Sequence, residues 1–166
     1  MRTFFVIVLA LATLTQAQTA KPKGAAKAPG KPAAGAVTVV TPDKVNWMAA
    51  PPNLPAGAQI AVLAGNPAGA GPFVIRLKLP DGYKVMPHWH PTPENVTVLS
   101  GEFHVAMGDK WDDSKLQTLP AGSFVSVPTH HSHYAMAKGA TEIQVHGNGP
   151  FKLIYVNPAD DPSKKK

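Results

Sequence analysis

From Val37 onward the chain alternates short apolar runs with turn residues. The runs are rich in Val, Ile, Phe and Tyr, and Pro, Gly and Asp separate them. Within several runs apolar and polar positions alternate at the two-residue period of a half-buried strand. The pattern predicts strands over Val45–Met48, Gln59–Ala64, Phe73–Leu79, Tyr83–His88, Glu94–Leu99 and Glu102–Met107. It predicts further strands over Ser123–Val127, His133–Lys138, Glu142–His146 and Lys152–Val156. "GDKWDDSK" reads as one helical turn, the only helix-like segment of the domain. Many short strands with regular turn signals predict an all-β antiparallel sandwich or barrel. No internal repeat is visible.

The first 36 residues follow other rules. Arg2 gives a short basic start, Phe4 to Ala12 is apolar, and Thr15-Gln16-Ala17 places small residues at a cleavage site. Residues 1–17 therefore read as a secretory signal peptide. Phe4 to Leu14 is too short to span a bilayer, which takes about 20 apolar residues, so stable membrane insertion is not expected. The expected location is periplasmic or secreted. Residues 18–36, "QTAKPKGAAKAPGKPAAGA", mix Ala, Lys, Pro and Gly without apolar periodicity and read as a linker. Residues 37–163 form the predicted barrel domain, and 164–166 a basic tail. The charged exit "NPADDPSKKK" starts at Asn157, and its acidic pair Asp160 and Asp161 is expected to face water.

The net charge of +6 hints at nucleic acid until its placement is read. Four lysines lie in the linker and three end the chain, whereas Ala36 to Ser163 holds eight basic against ten acidic residues. The basicity belongs to the ends, so a nucleic-acid partner is not expected of the domain. The chain has no cysteine. That removes disulfides, thiolate metal sites and cysteine nucleophiles from consideration.

All seven histidines fall between His88 and His146. In "GYKVMPHWHPTPENVTVLSG" His88 and His90 are two apart, so on an extended strand they share a face. "PTP" then turns the chain and Glu94 opens the next strand, bringing two imidazoles and a carboxylate together. A second segment, "GSFVSVPTHHSHYAMA", follows Gly122 and Pro128 with His130, His131 and His133.

The first of these segments resembles the first signature motif of the cupin superfamily at its defining positions, and the second resembles the second motif. The resemblance covers about Gly71 to Val156. The opening "VNWMAAPPNLPAGAQIAVLAG" and the "QVHG" and "YVNPADDP" segments are similar to small bacterial single-domain cupins. The resemblance implies a double-stranded β-helix barrel of jelly-roll type. It also implies a divalent metal held by His88, His90, Glu94 and His133. His131 shares the phase of His133, but counting from Pro128 the cupin pattern places the ligand at His133. Two positions depart from the motif: His130 stands where Gly is usual and Ala137 where Asn is usual. His tolerates a left-handed backbone better than most residues.

Three imidazoles and a carboxylate suit Fe, Mn, Ni, Zn or Cu rather than magnesium or calcium. The other histidines leave alternatives open. His104 alternates with Phe103, Val105 and Met107 and faces out if those three face the core. His130 and His131 either face solvent or stand by the pocket. Gln144 and His146 line the pocket only if Ile143 and Val145 face away. Trp47, Trp89 and Trp111 read as packing or rim residues. Two functions remain. One is a metal-dependent, dioxygenase-like enzyme acting on a small molecule, the preferred reading; the other is a module that binds metal or a small ligand without turnover. No catalytic acid–base pair is identifiable beyond the ligands. The resemblance further implies homodimers paired by sheet augmentation, with the strand near Val45 as the element to exchange.

Overall fold

The computed structural model describes residues 37–165. The expected signal peptide (1–17), linker (18–36) and Lys166 lie outside the described residues. Nine strands form one antiparallel sheet that curls on itself. They are β1 (Met48–Ala49), β2 (Gln59–Ala64), β3 (Gly71–Leu79), β4 (Lys84–Trp89), β5 (Glu94–Met107), β6 (Gln117–Pro120), β7 (Phe124–Val127), β8 (His133–Gly149) and β9 (Ile154–Tyr155). Among the described residues no helix is long and apolar enough to cross a membrane.

Two long strands organise the sheet. β5 and β8 pair with each other from Asn95↔His146 to Met107↔His133. On its other edge β8 pairs first with β4 and then with β3. β5 likewise carries β7 beside its first half and β6 beside its second. Both long strands bend midway. At Gly101 the backbone has φ 76°, and a Cβ there would stand 2.5 Å from the Ala140 carbonyl oxygen, so only glycine fits the crossing. The two halves thus fold over one interior, lined by Ile75, Val96, Val127 and Ile143 from one and Val85, Phe103, Val105 and Ala135 from the other. The result is the expected all-β barrel.

Simple alternation does not hold along every strand. Along β4 and the residues on either side of it, Tyr83 and Val85 face inward, yet so do His88 and His90. The change of phase falls at a register shift between Val85 and His88. Pro87 lies in that shift; it has no N–H to give the ladder, which suits an irregular position. β5 changes phase in the same way. Glu94 and Val96 face inward, then Phe103 and Val105, across the shifts between Val98 and Glu102.

Several expectations are corrected. Glu94–Leu99 and Glu102–Met107 are one bent strand, as are His133–Lys138 and Glu142–His146. The early strand is only Met48–Ala49, paired with β2, and Val45 to Trp47 are not in it. β6 was not predicted; "QTLP" lacks apolar alternation and is set by pairing with β5. The expected helical turn is a 3-10 turn at Asp113–Lys115, but further 3-10 turns occur at Pro42–Lys44, Pro158–Asp160 and Pro162–Lys164. The proline-led turns after the barrel are capped by Asn157 and Asp161, whose side chains accept from Ala159 N and Ser163 N. Asp161 is thus a cap, not simply a solvated charge.

Candidate metal centre

Three strands deliver the histidines and the carboxylate beside them. His88 sits near the end of β4 and His90 just after it; Glu94 begins β5 and His133 begins β8. His88 and His133 are ladder partners, with ring centroids 4.2 Å apart. One nitrogen of each of His88, His90 and His133 lies within 4.8 Å of the others. That mutual spacing belongs to the three imidazoles alone. Glu94 approaches two of them, with Oε2 3.2 Å from His133 Nε2 and 3.6 Å from His90 Nε2. All three histidines are buried.

The backbone fixes how each ring points. His88 Nδ1 donates to the Met86 carbonyl at 2.8 Å, His90 Nδ1 to Lys152 at 2.7 Å and His133 Nδ1 to His131 at 3.0 Å. A carbonyl can only accept, so each Nδ1 carries a proton and each Nε2 is directed at the cluster. His90 Nε2 is buried without a hydrogen-bond partner. Such orphans are uncommon because they forfeit hydration without compensation. Lone pairs aimed at one point, each ring oriented by a carbonyl behind it, fit a metal cation.

The electrostatics agree. Burial, with the neighbouring His133 and His90, drives His88 down to about 3, so it is neutral at physiological pH. Burial also lowers His90, against the pull of Glu94. Burial alone would raise Glu94, but its hydrogen bond with His133 and the charges of His90, His133 and His88 hold it at about 2. His133 is the reverse case: burial lowers it, while the hydrogen bond and charge of Glu94 outweigh that and raise it. Glu94 thus holds a proton on His133 Nε2 more firmly than an ordinary histidine holds one, and a cation binding there must displace it.

Residues remote in sequence complete the site. Phe151 stacks on His90, with centroids 4.3 Å apart and planes 18° from parallel, next to the Lys152 carbonyl that orients the ring. A Cβ on Gly147 would stand 2.7 Å from the Pro93 carbonyl oxygen, so glycine lets β8 pass under the turn that delivers Glu94. Nothing in the spacing of the histidines points to either. His130 lies outside the cluster: it is exposed, has φ 60°, packs against Trp89 in a tilted arrangement with centroids 4.9 Å apart, and donates its N–H to the His90 carbonyl. It is the one non-glycine residue of positive φ among the described residues, at the turn where Gly is usual. His131 is exposed and offers only its carbonyl.

The remaining alternatives resolve. Ile143 and Val145 face the interior, so Gln144 and His146 do not line it. His104 is on the outer face, opposite Phe103 and Val105, but it is buried at 8% exposure rather than solvated. It donates from Nε2 to Glu102 at 2.7 Å and accepts at Nδ1 from the Thr118 hydroxyl at 3.2 Å. The hydrogen bond from His104, with Lys138 nearby, lowers the Glu102 carboxyl. The three tryptophans lie off the cavity; Trp47 lies under Lys78 and Trp111 under Lys84.

A jelly-roll barrel with inward histidines at the ends of β4 and β8 defines the cupin class. Within it the chain belongs to the family of the ChrR cupin-like domain, whose sequence model matches residues 36–152. No curated protein matches the chain. Solved structures share the fold at low identity. The polyketide cyclase RemF from Streptomyces resistomycificus is 16% identical with a TM-score of 0.62, over 78% of this chain and 92% of that one. An RmlC-like cupin from Shewanella frigidimarina is 18% identical, TM-score 0.52, over 66% of this chain and 87% of that one. KdgF from a Halomonas species is 20% identical, TM-score 0.51, over 65% and 91%. Likeness at this level shows the fold alone.

Proposed function

We propose that His88, His90, His133 and Glu94 hold one divalent transition-metal ion, and that the exported protein is a metal-dependent, dioxygenase-like oxidoreductase acting on a small molecule inside the barrel. The observation that carries this reading is the convergence of three Nε2 atoms, each fixed by a carbonyl at Nδ1, on the floor of an internal cavity. The donor set suits Fe, Mn, Ni, Zn or Cu. A metal there supplies Lewis acidity or a site for dioxygen or water. The chain's own residues orient the donors, keep His88 neutral, and surround the site with an apolar wall that limits water. Glu94, beside two of the imidazoles, is the one carboxylate at the cluster among the described residues.

Binding without turnover has one observation in its favour. Apart from the four donors, the only titratable group in the cavity lining is Tyr83. Its hydroxyl donates to the Pro55 carbonyl at 2.7 Å, and burial with neighbouring Tyr155 raises it well above its ordinary value. It is not available as an acid or base near neutrality. The deciding experiment is elemental analysis of protein from its native compartment, followed by substrate-dependent oxygen uptake with that metal in place. Uptake that vanishes in Glu94→Ala supports the enzyme; saturable ligand binding with no product supports the module. Retention of residues 1–17 in protein washed free of membranes would remove the signal-peptide reading.

A further inference from the structure

We infer that the chamber above the histidine cluster takes a small, largely apolar molecule with a single polar head, the head directed at the metal and the body free of charge. This rests on the metal reading and adds the class of ligand to it.

The chamber has a volume of about 220 Å³. Its wall is aliphatic and aromatic, with Ile60, Ile75, Leu77, Val85, Val105 and Ile143 among the residues facing it. Among the described residues no lysine or arginine lines it, and Glu94 is the one carboxylate. Outside the four donors its polar residues are Asn53 and Tyr83 alone, and the Tyr83 hydroxyl is committed to Pro55. The segment carrying Asn53 and Leu54 closes one side and is pinned twice, by Tyr83 on Pro55 and by the Tyr155 hydroxyl on the Asn53 carbonyl at 2.9 Å.

These facts select by exclusion. A phosphate or carboxylate on the body, away from the metal, would be buried with no cation to meet it. Each hydroxyl of a sugar or polyol would leave water and find no partner. An apolar body loses nothing polar and gains contact along the whole wall. The volume sets the bulk. An apolar cavity of about 150 Å³ admits a benzene-sized guest, so this one takes a substituted single ring or a chain of similar bulk. Polarity is concentrated at one end, where the histidines and Glu94 lie, which orients a one-headed molecule and no other kind.

The test uses the full-length protein, metal-loaded, with metal content measured in every sample. Calorimetric titration compares 4-methylphenol, which has one head on an apolar body, with toluene, which has the body alone, and xylitol, which is polar throughout. Saturable 4-methylphenol binding, weaker toluene binding that competes with it, and no xylitol binding are expected. Ile60→Trp and Leu77→Trp replace partly exposed wall residues that are not donors, and each fills the chamber. Each should weaken both rings by roughly tenfold or more while metal content holds. Xylitol binding as tightly as 4-methylphenol would overturn the proposal. So would ring binding unchanged in both variants, or absence of ring binding altogether. If no metal is held, the metal reading fails by itself, and toluene with the two tryptophan variants still decides the chamber's ligand class.

Discussion

His90 and His104 are both buried histidines of the same barrel, 3% and 8% exposed, and they differ in what their second nitrogen meets. His104, on the outer face, donates to Glu102 and accepts from Thr118, so neither nitrogen is left over. His90, on the inner face, donates to the Lys152 carbonyl and leaves Nε2 without a partner, aimed at two more imidazoles. Burial therefore does not separate a structural histidine from a ligand. An unfilled lone pair that converges with others does: His146 Nδ1 is also buried without a partner but lies off the cavity, whereas His90 Nε2 meets the nitrogens of His88 and His133, where a cation recovers the cost.

The largest effect expected from that contrast is on metal affinity. His133→Ala should lower affinity by more than the roughly 10–100-fold typical of losing a group that merely supports a ligand. His88→Ala should do the same. His104→Ala, His130→Ala and His131→Ala should leave affinity within a few-fold of the parent. Competition with a chelator at neutral pH measures all five. Loss of metal from His104→Ala with retention in His133→Ala would reverse the assignment of the two faces.

The second effect is the pH dependence of the inner site. Glu94 raises His133, so in the metal-free protein His133 takes its proton above the ordinary histidine value. A cation must displace that proton, so affinity should fall about tenfold per pH unit below the His133 value. In the metal-free fold the signs differ by residue. His88 is lowered to about 3, so the unfolded chain binds its proton first, and stability falls as pH drops from about 6.5 toward 3. Glu94, held at about 2, acts in the same direction: its contribution is present above about 4.5 and lost as pH falls toward 2. His133 opposes both, its contribution being full below the ordinary histidine value and lost as pH rises through its own raised one. Urea titrations of metal-free protein between pH 7 and 4 should show net loss on acidification, and His88→Gln should flatten the slope. A slope unchanged by that substitution would show that His88 is not the neutral buried group.

The inner face was legible where the chemistry repeats at short range. His88 and His90 two apart, Glu94 after a proline turn, and His133 five past Pro128 are local spacings; the fold groups the three histidines and sets Glu94 against two of them. The β grammar likewise marked most strands, since inward Val, Ile and Phe are set by burial. What escaped depends on contacts between distant segments. The phase reversal around Pro87 cannot be read from alternation, because alternation is what it breaks. Phe151 and the Lys152 carbonyl reach His90 across some sixty residues. His104 faces out, the alternative tied to an inward Phe103, Val105 and Met107, although Met107 is itself exposed; Glu102 and Thr118, which enclose His104, come from its own strand and from β6, the strand that had no pattern.

Gly147 offers a smaller test of how the inner face is held. Alanine there drives a Cβ toward the Pro93 carbonyl oxygen, backbone that cannot swing aside. The turn before Glu94 must shift by a few tenths of an ångström, carrying the carboxylate with it. Gly147→Ala should cost about 1–3 kcal/mol of stability and lower metal affinity severalfold, with no change in the Glu102–His104 pair. Equal metal affinity would show that Glu94 tolerates the displacement or is not a ligand.

The smallest effect belongs to the outer face and completes the contrast. Thr118→Val keeps the shape of the side chain but removes the hydroxyl that donates to His104 Nδ1. Thr118 is itself exposed on β6. Loss of the hydrogen bond should cost about 0.5–1.5 kcal/mol, the usual net value of one such bond. His104 keeps its bond to Glu102, so the ring stays in place. Metal content should not change, because His104 faces away from the chamber and shares no partner with the donors. Chemical unfolding with metal bound and with metal removed gives two values for the same substitution. If the outer triad is purely structural, the two values agree. A cost that appears only with metal bound would mean that the bend joining the halves of β5 transmits strain from His104 to Glu94, and the two faces would then be one coupled device.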